Sequence, residues 1–213
     1  MNFQRRIEHA GSPLPDYLVT AKHVTLPAKH DSVPLSDSAE TGVRTVTPDE
    51  FKSAFRNHPG GVAVITADGG ERPVGLTATS VISVSVEPPL LVFSVSELSS
   101  STPTILASDT VVVHLLGAGQ LDIAKLCATR GADRFADTSI WTRMPSGEPY
   151  FPAAHAWIRG KIVNRMSAGG STVIVVEALD TMSPDQTDPT QPTKAPLVYH
   201  NRTWHALGEH SKV

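Results

Sequence analysis

Cys127 is the only cysteine among 213 residues, so the chain can form no internal disulfide and no cysteine-rich metal site. Charge is scarce as well. Asp, Glu, Lys and Arg make up 18% of the sequence, and 18 basic residues against 21 acidic ones leave a formal net charge of -3. That balance does not supply the basic face of a general nucleic-acid binder. It leaves phosphate-bearing small molecules open, because backbone amides hold them without bulk positive charge. No apolar stretch reaches the length that spans a bilayer. Arg5 and Arg6 are followed by Ile7, Glu8, His9, Ala10 and Gly11, not by the apolar run of a secretory signal. The expectation is a cytoplasmic protein without membrane or nucleic-acid partners. Familiar catalytic spacings are missing too: no Gly-x-Ser-x-Gly elbow, no His-Glu-x-x-His, no phosphate loop and no Gly-x-Gly-x-x-Gly after a strand. His200, His205 and His210 recur every five residues, which suits neither a helix face nor one side of a strand and argues against a metal site.

What is present is an ordinary globular composition, 40% hydrophobic, at a length suited to one well-cored domain. Residues 1–45 mix Pro13, Pro15, Pro27 and Pro34 with polar residues and show no sustained periodicity. They read as an N-terminal extension: a loose tail, or an arm wrapping a partner subunit with Tyr17, Leu18 and Val19 as anchors. The domain proper spans 46–210. Thr47-Pro48-Asp49-Glu50 predicts a capping box with proline at the first helical position. Phe51, Ala54 and Phe55 then share one face of a short helix that ends at His58-Pro59-Gly60.

From residue 62 the signals are β. Residues 62–66 form a β-branched run that stops at the Asp68-Gly69-Gly70 hairpin signal. Ile82, Val84 and Val86 alternate with Ser83 and Ser85, predicting one buried face. Residues 90–95 read as a strand covered on both faces. A helix over 103–108, with Thr102 as N-cap, leads to a strand at 111–113. A second helix is expected over 119–129, with Ile123, Leu126 and Cys127 on one stripe, which makes Cys127 a core residue. Further strands fall at 157–163, 172–179 and 197–199, the last continuing through Trp204, with a proline-rich loop at 183–196. Many hairpin-linked strands and only short helices imply a mainly β antiparallel barrel.

Small hydroxyl residues gather at strand ends: Thr77-Ala78-Thr79-Ser80, then Ser94, Ser96, Ser99, Ser100, Ser101 and Thr102. Hydroxyls beside free amides bind flat polar heterocycles and phosphates, although the same residues serve as caps and turns. Several segments together carry a resemblance: Phe55-Arg56-Asn57-His58-Pro59-Gly60-Gly61-Val62-Ala63-Val64-Ile65-Thr66, Pro73-Val74-Gly75-Leu76-Thr77-Ala78-Thr79-Ser80-Val81-Ile82-Ser83-Val84-Ser85, Glu87-Pro88-Pro89-Leu90, the Ser99–Thr102 cluster, Asp133-Arg134-Phe135 and Leu197-Val198-Tyr199-His200. In their order and spacing the chain resembles the flavin reductase-like family, the small reductase components of two-component monooxygenases. The resemblance implies an FMN-binding split β-barrel, antiparallel with Greek-key connections and short flanking helices. It also implies a homodimer with flavin near the subunit seam.

Carried over, Thr77, Ala78, Thr79 and Ser80 meet the isoalloxazine edge, and Ser94, Val95, Ser96, Ser99, Ser100 and Ser101 follow the ribityl chain and phosphate. Arg134 lies near the phosphate or is a plain surface charge, and Tyr199 lies near the flavin or its adenine end. The resemblance implies FMN, or FAD, as cofactor, NAD(P)H as reductant and a separate oxygenase as partner. Two positions depart from it. His114 stands where relatives often have Asn, and is expected to be a satisfied interior histidine. Gly169-Gly170-Ser171 stands where many relatives have Gly-Asp-His, so Ser171 replaces an imidazole on the nicotinamide side. That departure keeps a second reading open, a flavin carrier or redox sensor without reductase activity, and a third is a split barrel for a deazaflavin.

Overall fold

The computed structural model describes residues 45–184 and 195–213; most of the 1–45 extension and most of the proline-rich loop lie outside them. Helix α1 (Pro48–Arg56) starts as its sequence dictates. Thr47 Oγ1 accepts the Glu50 N–H, the Glu50 carboxylate accepts the Thr47 N–H, and Pro48 occupies the first turn. Its Phe51–Phe55 pair stacks at 4.8 Å, yet the helix buries no residue.

Strands follow the β-branched runs. β1 (Gly60–Gly61) leads into β2 (Ala63–Asp68), which turns back as β3 (Pro73–Ala78). At that turn Gly70 takes φ +97° and the Asp68 carboxylate accepts its N–H at 2.8 Å. β4 (Ile82–Ser85), β5 (Leu90–Ser96), α2 (Thr102–Ala107), β6 (Thr110–Leu115) and α3 (Leu121–Ala128) come next. A small hairpin of β7 (Thr142–Arg143) and β8 (Pro149–Tyr150) precedes the two long strands β9 (Ala156–Ala168) and β10 (Ser171–Met182). β11 (Leu197–His200) and β12 (Thr203–Ala206) close the chain as a hairpin beside β1.

One antiparallel sheet carries the architecture, in the order β3-β2-β6-β9-β10-β5-β4. The β5-to-β6 connection crosses β10 and β9, the long return of a Greek key. The sheet curls around Ile65, Leu76, Phe93, Val113, Ile105, Ile174 and Val176, all buried. β9 passes β10 closely only because Gly160 has no side chain: a Cβ there would lie 2.3 Å from Val176 Cγ1 and 2.7 Å from the Glu177 carbonyl oxygen. A second cluster, including Val62, Val64, Ala124, Cys127, Phe135, Phe151 and Leu197, covers the outer face of β2 and β6. Burial pushes the Cys127 thiol up to about 12, with Arg134 acting weakly the other way, so it is a packed core residue.

Several expectations are corrected. β5 is covered on one face only: Leu91, Phe93 and Val95 are buried while Leu90, Val92 and Ser94 are partly open. Ile82, Val84 and Val86 are not buried; they are 59%, 56% and 89% exposed. Their period of two marks a strand correctly, but at the edge of the sheet with its apolar side chains exposed among the described residues. Ser101, not Thr102, is the residue before α2, because the Thr102 hydroxyl instead donates to the Ser96 carbonyl at 2.6 Å. The helix expected over 119–129 is a 3-10 turn (Ala118–Gln120) followed by α3. The run through Trp204 is broken by Asn201 and Arg202, which take φ +47° and +63° in a two-residue hairpin loop. The second of these positions favours glycine, and holding Arg202 there costs about 1 kcal/mol.

His114 sits at the centre of the double-covered wall. It is bonded to the Val64 carbonyl through Nδ1 at 2.9 Å, accepts the Phe151 N–H at Nε2 at 3.1 Å, and meets the Phe151 ring edge-on. Its ring is therefore neutral with the proton on Nδ1. Burial lowers its pKa from 6.5 to about 4, opposed by the Val64 hydrogen bond. A depressed native pKa means that the unfolded chain binds the proton first. Stability should therefore be full above pH 6.5 and fall as pH drops toward 4. Urea midpoints at pH 7 and pH 5 test this: the difference should be clear in the wild type and smaller in His114→Asn.

Candidate functional site

The hydroxyl-rich segments converge on one feature. β3 and β5 lie at opposite parts of the curled sheet and share no backbone ladder. Serines join them instead. Ser80 Oγ accepts the Ser94 N–H at 3.0 Å at one end. Ser101 Oγ donates to the Gly75 carbonyl at 2.9 Å at the other. The seam runs from Ser80/Ser94, two residues past the end of β3, to Gly75/Ser101 within that strand.

Hydrogen-bond bookkeeping divides these hydroxyls into two sets. Thr77 donates to the Ala124 carbonyl at 2.7 Å, and Ser101 and Thr102 donate to carbonyls as above. Their protons are committed to the fold, and Ser101 and Thr102 are buried. Ser96 Oγ and Ser99 Oγ accept backbone N–H groups from Leu98 and Ser101, which leaves both hydroxyl protons available. Thr79 and Ser100 are exposed and Ser94 half-buried. The side chains of Ala78 and Val95 point into the barrel core, so only their backbone can meet a ligand.

A cavity opens at each end of the seam. The first, about 570 Å³, brings Ser100 and Ser101 against Arg134, Arg72, Phe135 and Trp141. Arg134 closes the C-terminal end of α3 by donating to the Cys127 and Thr129 carbonyls, both at 3.1 Å, which fixes its guanidinium at the cavity wall. Trp141 is held by its Nε1–H on the Phe135 carbonyl at 2.9 Å. The second cavity, also about 570 Å³, gathers Thr79, Ser80, Tyr199 and Ile82 with Phe51 and Phe55 of α1 and a cationic rim. Gly60 makes it possible: a Cβ there would fall 2.9 Å from Thr79 Cβ. Tyr199 packs edge-on against Trp204 at 4.8 Å.

Ser171 lines neither cavity. It opens β10 opposite Ala168 and Ser96, after Gly169 at φ +60°, and the Gly170 carbonyl accepts the Glu97 N–H at 3.0 Å. The hairpin tip is thus anchored to the loop that leaves β5. Sequence reasoning singled out none of Arg72, Trp141 and Arg202, and met Arg56 only inside the segment that carries the family resemblance, with no role assigned to it. The signal available for Arg202 was a bulky residue after Asn201 in a two-residue turn between apolar runs. Among the described residues no group of three or more His, Cys, Asp or Glu is placed to hold a metal ion, and no helix is long and apolar enough to cross a membrane.

Residues 55–208 match the flavin reductase like domain family. Over 151 residues the chain is 39% identical to an NADH:FMN oxidoreductase of Rhodococcus qingshengii, covering 71% of this chain and 77% of that one. It is 30% identical to the reductase component of an FADH(2)-dependent resorcinol hydroxylase of a Rhizobium species, covering 77% and 92%. A solved flavin reductase domain protein from an Arthrobacter species superposes with a TM-score of 0.69 at 33% identity, covering 76% of this chain and 96% of that one.

Ser100 carries the test of phosphate binding at the first cavity, because it is exposed and its side chain makes no hydrogen bond among the described residues. Ser100→Asp puts a negative charge on the wall shared with Arg134. FMN affinity should fall about tenfold or more, and riboflavin, which lacks the phosphate, should lose far less. Titration by flavin fluorescence measures both; equal losses would make the serine a loop residue only.

Proposed function

The chain belongs to the flavin reductase-like family, and from that premise we propose that it is an NADH-dependent flavin reductase that passes reduced FMN, or FAD, to a separate oxygenase. Bound flavin supplies the hydride acceptor that the side chains of this protein do not provide. The observation that carries the reading is the serine seam, with unpaired hydroxyls along it and a fixed arginine at one end. The donor set fits the cofactor. Ser96, Ser99 and Ser100 have hydroxyl protons to give to ribityl and phosphate oxygens, beside Arg134. Thr79, Ser80 and Ser94, with the backbone of Ala78 and Val95, offer polar contacts to the ring edge at the other end. Thr77 holds the strand to α3 and can only accept from a ligand. Tyr199 and Ile82 keep water from the ring end. The protein's contribution is position and exclusion of side reactions, with no acid or base required of it.

The rival, a flavin carrier without reductase activity, rests on the missing imidazole at Ser171. The NADH oxidoreductases among the relatives favour the reductase. A single buried thiol fits a reducing cytoplasm. Residues 46–210 are assigned as the flavin domain and 1–45 as its extension.

We assign a homodimer to the uncovered apolar face. Ile82, Val92 and Val175 lie in one row across β4, β5 and β10, and Ser94, Val173 and Met166 in the next across β5, β10 and β9. Val84 extends the patch along an edge strand. Exposed apolar rows on an edge strand invite pairing, and a twofold contact covers the same rows on both copies. Light scattering at micromolar concentration should give a dimer, and Val84→Lys should shift it toward monomer. A monomeric wild type that still binds flavin tightly would remove the dimer.

Anaerobic mixing tests the activity. NADH should bleach the bound flavin within seconds, more effectively than NADPH. Tight flavin binding with no reduction by either nucleotide, at any concentration, would replace the reductase with the carrier.

A further inference from the structure

Part of the cationic rim of the second cavity serves α1: Lys52 pairs with Asp49 at 3.4 Å. Arg56 ends α1, where a cation also favours the helix dipole. Arg202 has no such excuse. It stands at φ +63° in the turn between β11 and β12, where glycine is at ease and a long side chain is strained. Two hydrogen bonds lock this hairpin onto the end of α1: the Asn201 N–H donates to the Arg56 carbonyl at 3.2 Å, and His200 Nε2 meets Asn57 Oδ1 at 2.8 Å. The docking brings both arginines to one cavity, together with Lys52 and His58, and no acidic residue lines it among the described residues. Neither arginine side chain makes a hydrogen bond or ion pair within the described residues. Like charges held together, one of them by a strained backbone, call for an anion. The floor of the same cavity is Thr79, Ser80 and Tyr199, the residues assigned above to the ring end of the flavin.

We propose that Arg202 and Arg56 bind the diphosphate of the incoming nicotinamide dinucleotide, so that this chain grips its reductant by the phosphates where Ser171 offers no imidazole. The inference rests on the reductase reading. The diphosphate is common to NADH and NADPH, and it is present before and after hydride transfer. A contact of this kind stabilises ground and transition states alike, and its loss raises the Michaelis constant with little change in turnover number.

Arg202→Gly is the discriminating variant, because it removes the charge and relieves the turn. The Michaelis constant for NADH should rise about tenfold, kcat should change less than twofold, and the thermal midpoint should stay or increase. The salt dependence of the NADH constant should weaken as well. Arg202→Lys should recover part of the affinity. Equilibrium titration of NADH fluorescence against oxidised, flavin-loaded protein gives the same comparison without turnover. If wild type and Arg202→Gly bind NADH equally, the proposal is overturned. It is also overturned if the variant loses FMN affinity and not NADH affinity, since the cations would then serve the flavin phosphate. A loss seen with NADPH alone would assign them to the 2′-phosphate and overturn the diphosphate assignment. Absence of flavin reduction by the wild type would count against the reductase reading, while the binding titration would still decide the inference.

Discussion

β3 and β5 come together without a shared backbone ladder, and much of the structure depends on how that gap is closed. A closed sheet would satisfy both strands with main-chain hydrogen bonds along their length. Here two serine side chains bridge the gap, Ser80 to Ser94 and Ser101 to the Gly75 carbonyl. Each such bond contributes only about 1 kcal/mol net, but the buried Gly75 carbonyl would be left unpaired without Ser101. The split is therefore stable and still polar. The peptide segments that make it are the same ones that present Thr79, Ser96, Ser99 and Ser100 outward, so the device that shuts the barrel also builds the edge proposed to face the flavin.

The opposite wall follows the reverse logic. β2 and β6 are covered on both faces, by the barrel core inside and by α3 and the 135–154 segment outside. Three polar residues on this wall, Thr66, His114 and Glu148, are paired. Thr66 Oγ1 donates to the Pro149 carbonyl, His114 uses both ring nitrogens, and Glu148 meets Arg159 at 2.8 Å and Thr110 at 2.7 Å. Burial alone would raise the Glu148 pKa, but hydrogen bonds from Arg159, Ser146 and Thr110 outweigh it and hold the carboxyl down to about 2. This rigid layer positions Arg134, Phe135 and Trp141 against the seam.

Helix α1 and the β4–β5–β10 face share a third feature: apolar side chains that stay exposed among the described residues. Phe51 and Phe55 remain 58% and 57% exposed although the helix begins with a complete capping box. Local signals determine that such a helix forms, and burial has to come from elsewhere. A second copy of the chain covers the strand face in the proposed dimer. The aromatic pair instead borders the ring-end cavity, beside the hairpin carrying Arg202.

Much of the fold was legible from residue order alone. Capping chemistry at Thr47 and Glu50, the Asp68-Gly69-Gly70 reversal and the β-branched runs depend on contacts within a few residues, and each element formed where its pattern lay. Cys127 and His114 were also readable as interior residues. Burial of a given face was not, because period-two alternation says that two faces differ and not which neighbour covers one of them; Ile82 and Val84 illustrate this. Nor were the roles of individual hydroxyls. Ser100 and Ser101 are adjacent and identical in sequence and both line the first cavity, yet one is exposed and the other is buried, its hydroxyl spent on the Gly75 carbonyl twenty-six residues away. Arg56 and Arg202 likewise meet only through the docking of a hairpin on a helix end. Short-range chemistry determined the elements; long-range packing decided which side chains were left free to bind.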